Sequence, residues 1–189
     1  MDTLFNSTES NPRGIPSAPF VEDLTTLFND QKNDFQLVFN KFQERLQKYK
    51  FMQESKQVTL KQLNTRIPEI SQSLKVCQLL ESQAADDEET EDLLFNYSLN
   101  DTLYTKASVN PKEVKSVGLW LGADVMLEYP VPEAITLLQD KLADSQTSLD
   151  NCQEDLEFLR ENITTMEVMC ARLYNWDVEQ RRKEAETAK

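Results

Sequence analysis

The side chains here that carry reactive groups are 33 carboxylates, three thiols and scattered serines, with no imidazole among 189 residues. Without histidine the usual general base near neutral pH is missing, and no serine stands at a spacing that sets a nucleophile beside a base. Cys77, Cys152 and Cys170 lie too far apart for a CxxC pair and have no histidine to complete a zinc tetrad, so neither metal nor disulfide is expected. They read as reduced thiols used for packing. Three glycines exclude a phosphate-cradling P-loop and a dinucleotide fingerprint. No catalytic residue, metal ligand or cofactor follows from these residues, and the chain is expected not to be an enzyme.

Charge narrows the partners. Twenty Lys and Arg against 33 Asp and Glu give a net charge of -13, which repels a phosphate backbone and argues against nucleic acid. The longest uncharged apolar run, 116–123, falls far short of the ~18 residues that span a bilayer, so no membrane segment is expected. No hydrophobic leader follows Asp2, which predicts a cytoplasmic protein in which the Asn-x-Ser/Thr triplets at Asn6, Asn96, Asn100 and Asn162 carry no glycan.

With chemistry set aside, periodicity supplies the elements. From Val21 the residues seven apart are Val21, Phe28, Phe35, Phe42, Tyr49, Lys56, Leu63, Ile70 and Cys77, all but one apolar. This repeat predicts a coiled-coil helix over 19–81, entered at Pro19 with Glu22 and Asp23 on its dipole. Pro68 predicts a kink or short break within it. A second seam runs through Ile135, Leu138, Leu142, Ser145, Leu149, Cys152, Leu156, Leu159, Ile163, Met166, Cys170 and Leu173 and predicts a helix over 131–180. Residues 1–18 and 181–189 are expected to be a disordered N-terminal tail and a charged C-terminal tail. Residues 82–92 form an acidic linker.

Between the helices the period changes to two. Leu93, Phe95, Tyr97 and Leu99 alternate before a turn at Asn100-Asp101, and the chain returns over 103–109. A second pair, 114–121 and 125–129, turns through Gly122, Ala123 and Asp124; Gly122 allows a positive φ, and Gly118 a bulge or a close neighbouring strand. Residues 93–130 thus hold two β-hairpins. Two hairpins cannot cover Leu119, Trp120, Leu121, Val125, Met126 and Leu127, and their open edges invite aggregation, so strands from other chains are expected to complete the sheet.

The expected fold is α+β: a long antiparallel α-helical coiled coil with two central β-hairpins that join an intersubunit β-barrel. Folding back brings the start of the first helix beside the finish of the second. Phe20, Val21, Leu24, Leu27 and Phe28 then gather with Tyr174, Trp176 and Val178 at a tip, where apolar surface left uncovered suits the binding of unfolded chains.

Four segments carry a resemblance: RGIPSAPFVED at 13–23, LWLGADVMLEY at 119–129, EDLEFLRENITTMEV at 154–168 and ARLYNWDV at 171–178. Together they resemble eukaryotic prefoldin subunit 3 sequences, within the α class of the prefoldin family. The resemblance implies a hetero-hexamer of two α-class and four β-class subunits whose hairpins build a double β-barrel platform. It also implies ATP-independent holding of unfolded actin, tubulin and other nascent polypeptides for the cytosolic group II chaperonin. The alternative is a coiled-coil tether without client binding, which makes no use of the apolar segment 118–129.

Overall fold

A computed structural model describes residues 10–29, 35–85 and 92–187. In order the elements are α1 (Leu24–Asn29), α2 (Phe35–Ala84), β1 (Leu93–Asn100), β2 (Leu103–Val109), β3 (Ser116–Gly122), β4 (Val125–Pro130) and α3 (Val131–Thr187). They divide into one unit of residues 1–61 with 150–189 and another of 62–149.

In the first unit the heptad residues of α2 and α3 meet as the periodicity predicts. Val38, Phe42 and Tyr49 are buried against Leu159, Ile163, Met166, Met169 and Leu173. The pairing is antiparallel: Lys56 meets Asp155, Lys50 meets Glu167 at 2.7 Å, and the Phe35 ring lies beside Trp176.

The N-terminal segment departs from expectation. Residues 10–18 are no disordered tail, and the helix does not start at 19; the rest of the supposed tail, 1–9, lies outside the described residues. Pro12, Pro16 and Pro19 each lack an amide proton and disfavour helix in the residue before them, so 10–23 stay non-helical until Asp23 opens α1. The Asp23 carboxylate accepts from the Thr25 amide at 2.9 Å and the Thr25 hydroxyl at 2.6 Å, a cap that also lowers its pKa. Ser10 bridges Pro16, and Asn11 closes the loop between them, its side-chain oxygen taking the amides of Arg13 and Ile15. Ile15 and Leu24 are buried in the core beneath. Residues 10–23 thus form a strap over the two helices.

Two further boundaries shift. Of the kink or short break expected at Pro68, the break does not occur: α2 continues through it, because Pro68 sits on the exposed face where water can satisfy the carbonyl that loses its amide partner. At the other end α3 runs to Thr187 instead of giving way to a tail at 181, since Glu, Gln, Arg, Lys and Ala are strong helix formers and Arg181 pairs with Asp177 one turn back. Of the acidic linker, 82–84 are helical and 86–91 lie outside the described residues.

The second unit contains both hairpins. Its core is Leu74 and Cys77 of α2 with Val131, Ile135 and Leu138 of α3, flanked by half-buried Ile70, Val114, Val117, Leu119 and Leu142. The strands pair antiparallel as two separate two-stranded sheets, Phe95 opposite Ala107 in one and Trp120 opposite Met126 in the other. The register of the second hairpin slips between Trp120 and Gly122, so the irregularity lies at Leu121 and not at Gly118. Gly118 serves close approach instead: a Cβ there would stand 3.0 Å from the Met126 sulfur.

The turn Ala123-Asp124 has φ of 51° and 57°, the two positive values that a two-residue hairpin turn demands, with Gly122 at 107° before it. Alanine is strained there. Ala123→Gly is expected to stabilise the hairpin by about 1 kcal/mol, observable as slower amide exchange at Val125.

Candidate functional site

Two apolar surfaces and one buried charge cluster stand out. The first surface is the second hairpin, whose alternation gives its two faces different tasks. Val117 and Leu119 turn inward and pack on the unit's own core. Leu119, expected at a subunit interface, is therefore partly claimed by its own helices. On the opposite face Trp120 is 63% exposed and its cross-strand partner Met126 52%. Leu127 and Val125 are exposed and Leu121 half-buried near the turn. In the first hairpin Tyr97 and Leu99 are exposed and Phe95 half-buried. Leu94, Leu103 and Tyr104, which the sequence analysis passed over, are exposed as well. The alternating strand pattern could have found Leu94, the one apolar residue of that strand out of phase. Nothing among the described residues covers the outward faces.

The second surface lies where α1 approaches the end of α3. Phe28 stacks on Trp176 with centroids 4.4 Å apart, and Phe35 lies 5.9 Å from Phe28. Leu24 is buried in the chain's own core, so it is no free contact for a ligand; Val21, Leu27 and Val178 are half-buried. Phe20 and Tyr174 stay open, the former lying against the Arg172 guanidinium 5.2 Å from its ring centre. The indole Nε1 of Trp176 is buried with no hydrogen-bond partner among the described residues. Of the eight residues expected at a tip, the structure thus stacks Phe28 on Trp176 and leaves Phe20 and Tyr174 open.

The charge cluster pins the strap. Asp155 on α3 is fully buried yet accepts from Arg13 Nε at 2.5 Å and Asn11 Nδ2 at 2.7 Å, while Lys56 Nζ stands 2.8 Å away. Burial acts to raise its pKa, but the hydrogen bonds from Lys56 and Arg13 and their charges outweigh it and hold the carboxyl below its usual range. Arg13 also reaches Asn151 and Glu154, each at 2.9 Å. Further along, Asn162 accepts the Ala18 amide, the Tyr49 hydroxyl donates to the Pro16 carbonyl at 2.9 Å, and Arg172 donates to the carbonyls of Val21 and Glu22.

These polar residues lay outside the expected site, and their signal is a second heptad line. Beside the seam Cys152, Leu159, Met166 and Leu173 runs Asp155, Asn162, Met169 and Trp176, three residues offset and seven apart. Two polar residues at that spacing next to an apolar seam mark a third element lying in the groove. The thiols stay in packing roles: burial raises the pKa of Cys77, Cys152 and Cys170, which keeps them protonated and unreactive.

Comparisons with known proteins agree with this layout. The family described as prefoldin subunit matches residues 49–176. Prefoldin subunit 3 of Saccharomyces cerevisiae is 64% identical over 185 residues, spanning 96% of this chain and 92% of its own length. The subunit 3 proteins of Mus musculus and Homo sapiens are each 42% identical over 175 residues, spanning 92% of this chain and 87% and 86% of theirs. Among solved structures, a chain of filamentous PFD from Methanocaldococcus jannaschii superposes with a TM-score of 0.50 at 16% identity, covering 67% of this chain and 98% of its own.

Proposed function

Because the chain belongs to the prefoldin family, whose members are chaperone subunits that assemble with one another, we propose that it is an ATP-independent holdase subunit of a cytoplasmic hetero-hexamer. Its hairpins join those of α- and β-class partners in an intersubunit β-barrel. Its aromatic end takes hold of unfolded actin, tubulin and other nascent polypeptides before they pass to the cytosolic group II chaperonin. The observation that carries this reading is the pair of uncovered apolar surfaces, one on strands and one at a helix end. Open strand edges with a Trp120–Met126 face call for other strands. Exposed Phe20 and Tyr174 beside a stacked Phe28–Trp176 pair offer a weak apolar grip, and several such grips on one client add up by avidity.

The test is Phe20→Ser with Tyr174→Ser in the reconstituted complex. Both residues lie outside the buried core, so assembly is retained, and suppression of denatured-actin aggregation is expected to weaken about fivefold as two exposed rings are lost. Unchanged suppression would remove this surface from client binding and favour the tether.

A further inference from the structure

We propose that the strap, residues 10–23, is a tethered stand-in for client: it fills the groove that a segment of an unfolded chain enters when the strap is displaced. This rests on the holdase reading and deepens it by naming what the groove recognises.

The groove holds the strap largely by features that any polypeptide shares. Tyr49 binds a carbonyl, Asn162 an amide and Arg172 two consecutive carbonyls, all of them backbone groups. Side-chain selectivity is strongest at two points, although Asn11 also donates to Asp155, Phe20 lies against Arg172, and Ala18 and Val21 pack on the core. Asp155, itself buried, takes the guanidinium of Arg13, and the core takes the side chain of Ile15 two residues on. Between the contacts at Asn162 and Arg172 the α3 axis rises about 15 Å. Four residues of strap, Ala18 to Val21, reach at most about 14 Å, and the long Arg172 side chain closes the remainder to the Val21 carbonyl. The fitting ligand is therefore a segment that turns tightly at a basic residue, places an aliphatic residue two positions later, and runs on with free backbone groups beyond. Folded proteins rarely offer such a segment; unfolded ones do. A recess of about 250 Å³ beside the pin, lined in part by Phe51, Met52 and Lys56, gives an incoming side chain its first foothold.

Tethering sets the threshold. A covalently attached strap acts at an effective concentration of about millimolar. A lone segment at micromolar concentration does not displace it, whereas a client already held by neighbouring subunits does. The strap thus restricts the groove to long, multiply bound chains.

Asn11→Ala with Arg13→Ala in the full-length, reconstituted complex should unseat the strap, seen as faster exchange of the Ala18 amide, while every groove residue is kept. Capture of chemically denatured actin should tighten about tenfold, as when nine-tenths of wild-type grooves are blocked. A synthetic peptide of residues 10–23 at about millimolar should reverse the gain. The same peptide carrying Arg13→Glu should not, and Arg13→Lys in the chain should restore most of the block. If the double variant fails to assemble, peptide competition against the wild-type complex decides alone. Unchanged or weaker capture by an assembled variant, or a peptide that does not compete, makes the strap a structural brace and overturns the proposal. Capture by neither complex is a different result, which overturns the holdase reading itself.

Discussion

Trp120→Asp is expected to eliminate the chain from its complex while leaving the chain folded. Trp120 lies on the strand face opposite Leu119, is 63% exposed and stands across the strands from Met126. A buried indole removes 150–250 Å² from water, so an interface built on the exposed part gains about 3 kcal/mol. Aspartate forfeits that gain and adds the cost of taking a charge out of water, so association falls by about a thousandfold or more. Native mass spectrometry of co-expressed subunits reads the loss directly, and unchanged helical circular dichroism shows that the chain itself survives. Leu119→Asp, one residue away, should behave differently: Leu119 packs against the core cluster of its own unit, so there the second unit itself is destabilised. Normal incorporation of Trp120→Asp would mean that this face is not an interface.

Asp155→Ala is expected to cost about 2 kcal/mol in denaturant unfolding. Breaking a buried charge pair commonly costs about 3–5 kcal/mol. The cost is smaller here because Lys56 and Arg13 keep 38% and 26% of their side chains exposed and rehydrate when the carboxylate is gone. Asp155→Asn, which preserves shape and an acceptor, should lose less. The pH dependence has a definite sign. The fold holds this carboxyl below the ordinary aspartate value of 3.8, so it favours the ionised form. Its contribution is complete above that value and disappears as pH falls through the lower folded one. Exchange of the Ile15 and Ala18 amides, corrected for intrinsic rates, should be flat from pH 7 to about 5 and accelerate only below about 4. The chain has no histidine to mimic such a transition at higher pH. Release of the strap near pH 6 would show that Asp155 does not hold it.

Helices and hairpins were legible because their signals are local: a seven-residue apolar repeat, a change to alternation, and Gly122-Ala123-Asp124 where the chain must reverse. The aromatic gathering at Phe28 and Trp176 followed from folding the two seams back on each other. The strap was not legible in the same way. Its prolines and polar residues read as a tail, and what orders it comes from Asp155, Asn162 and Arg172, more than 140 positions away. Exposure was only half legible too. Periodicity shows which residues share a face, as with Leu119 and Trp120 on opposite sides of one strand, but not which face another element covers. That is why Leu24 and Leu119 turned out to be partly or wholly spoken for.

The sulfur atoms differ in shelter. Met166 and Met169 are wholly enclosed in the core, whereas Met126 is half exposed, its sulfur close over Gly118. Among the described methionines, peroxide is therefore expected to oxidise Met126 ahead of half-buried Met52 and buried Met166 and Met169, converting a flexible apolar side chain into a polar, bulkier sulfoxide. A polar sulfoxide on the face opposite the core would weaken any apolar contact made there, so this hairpin surface is the part of the described chain whose stickiness oxidation would reduce.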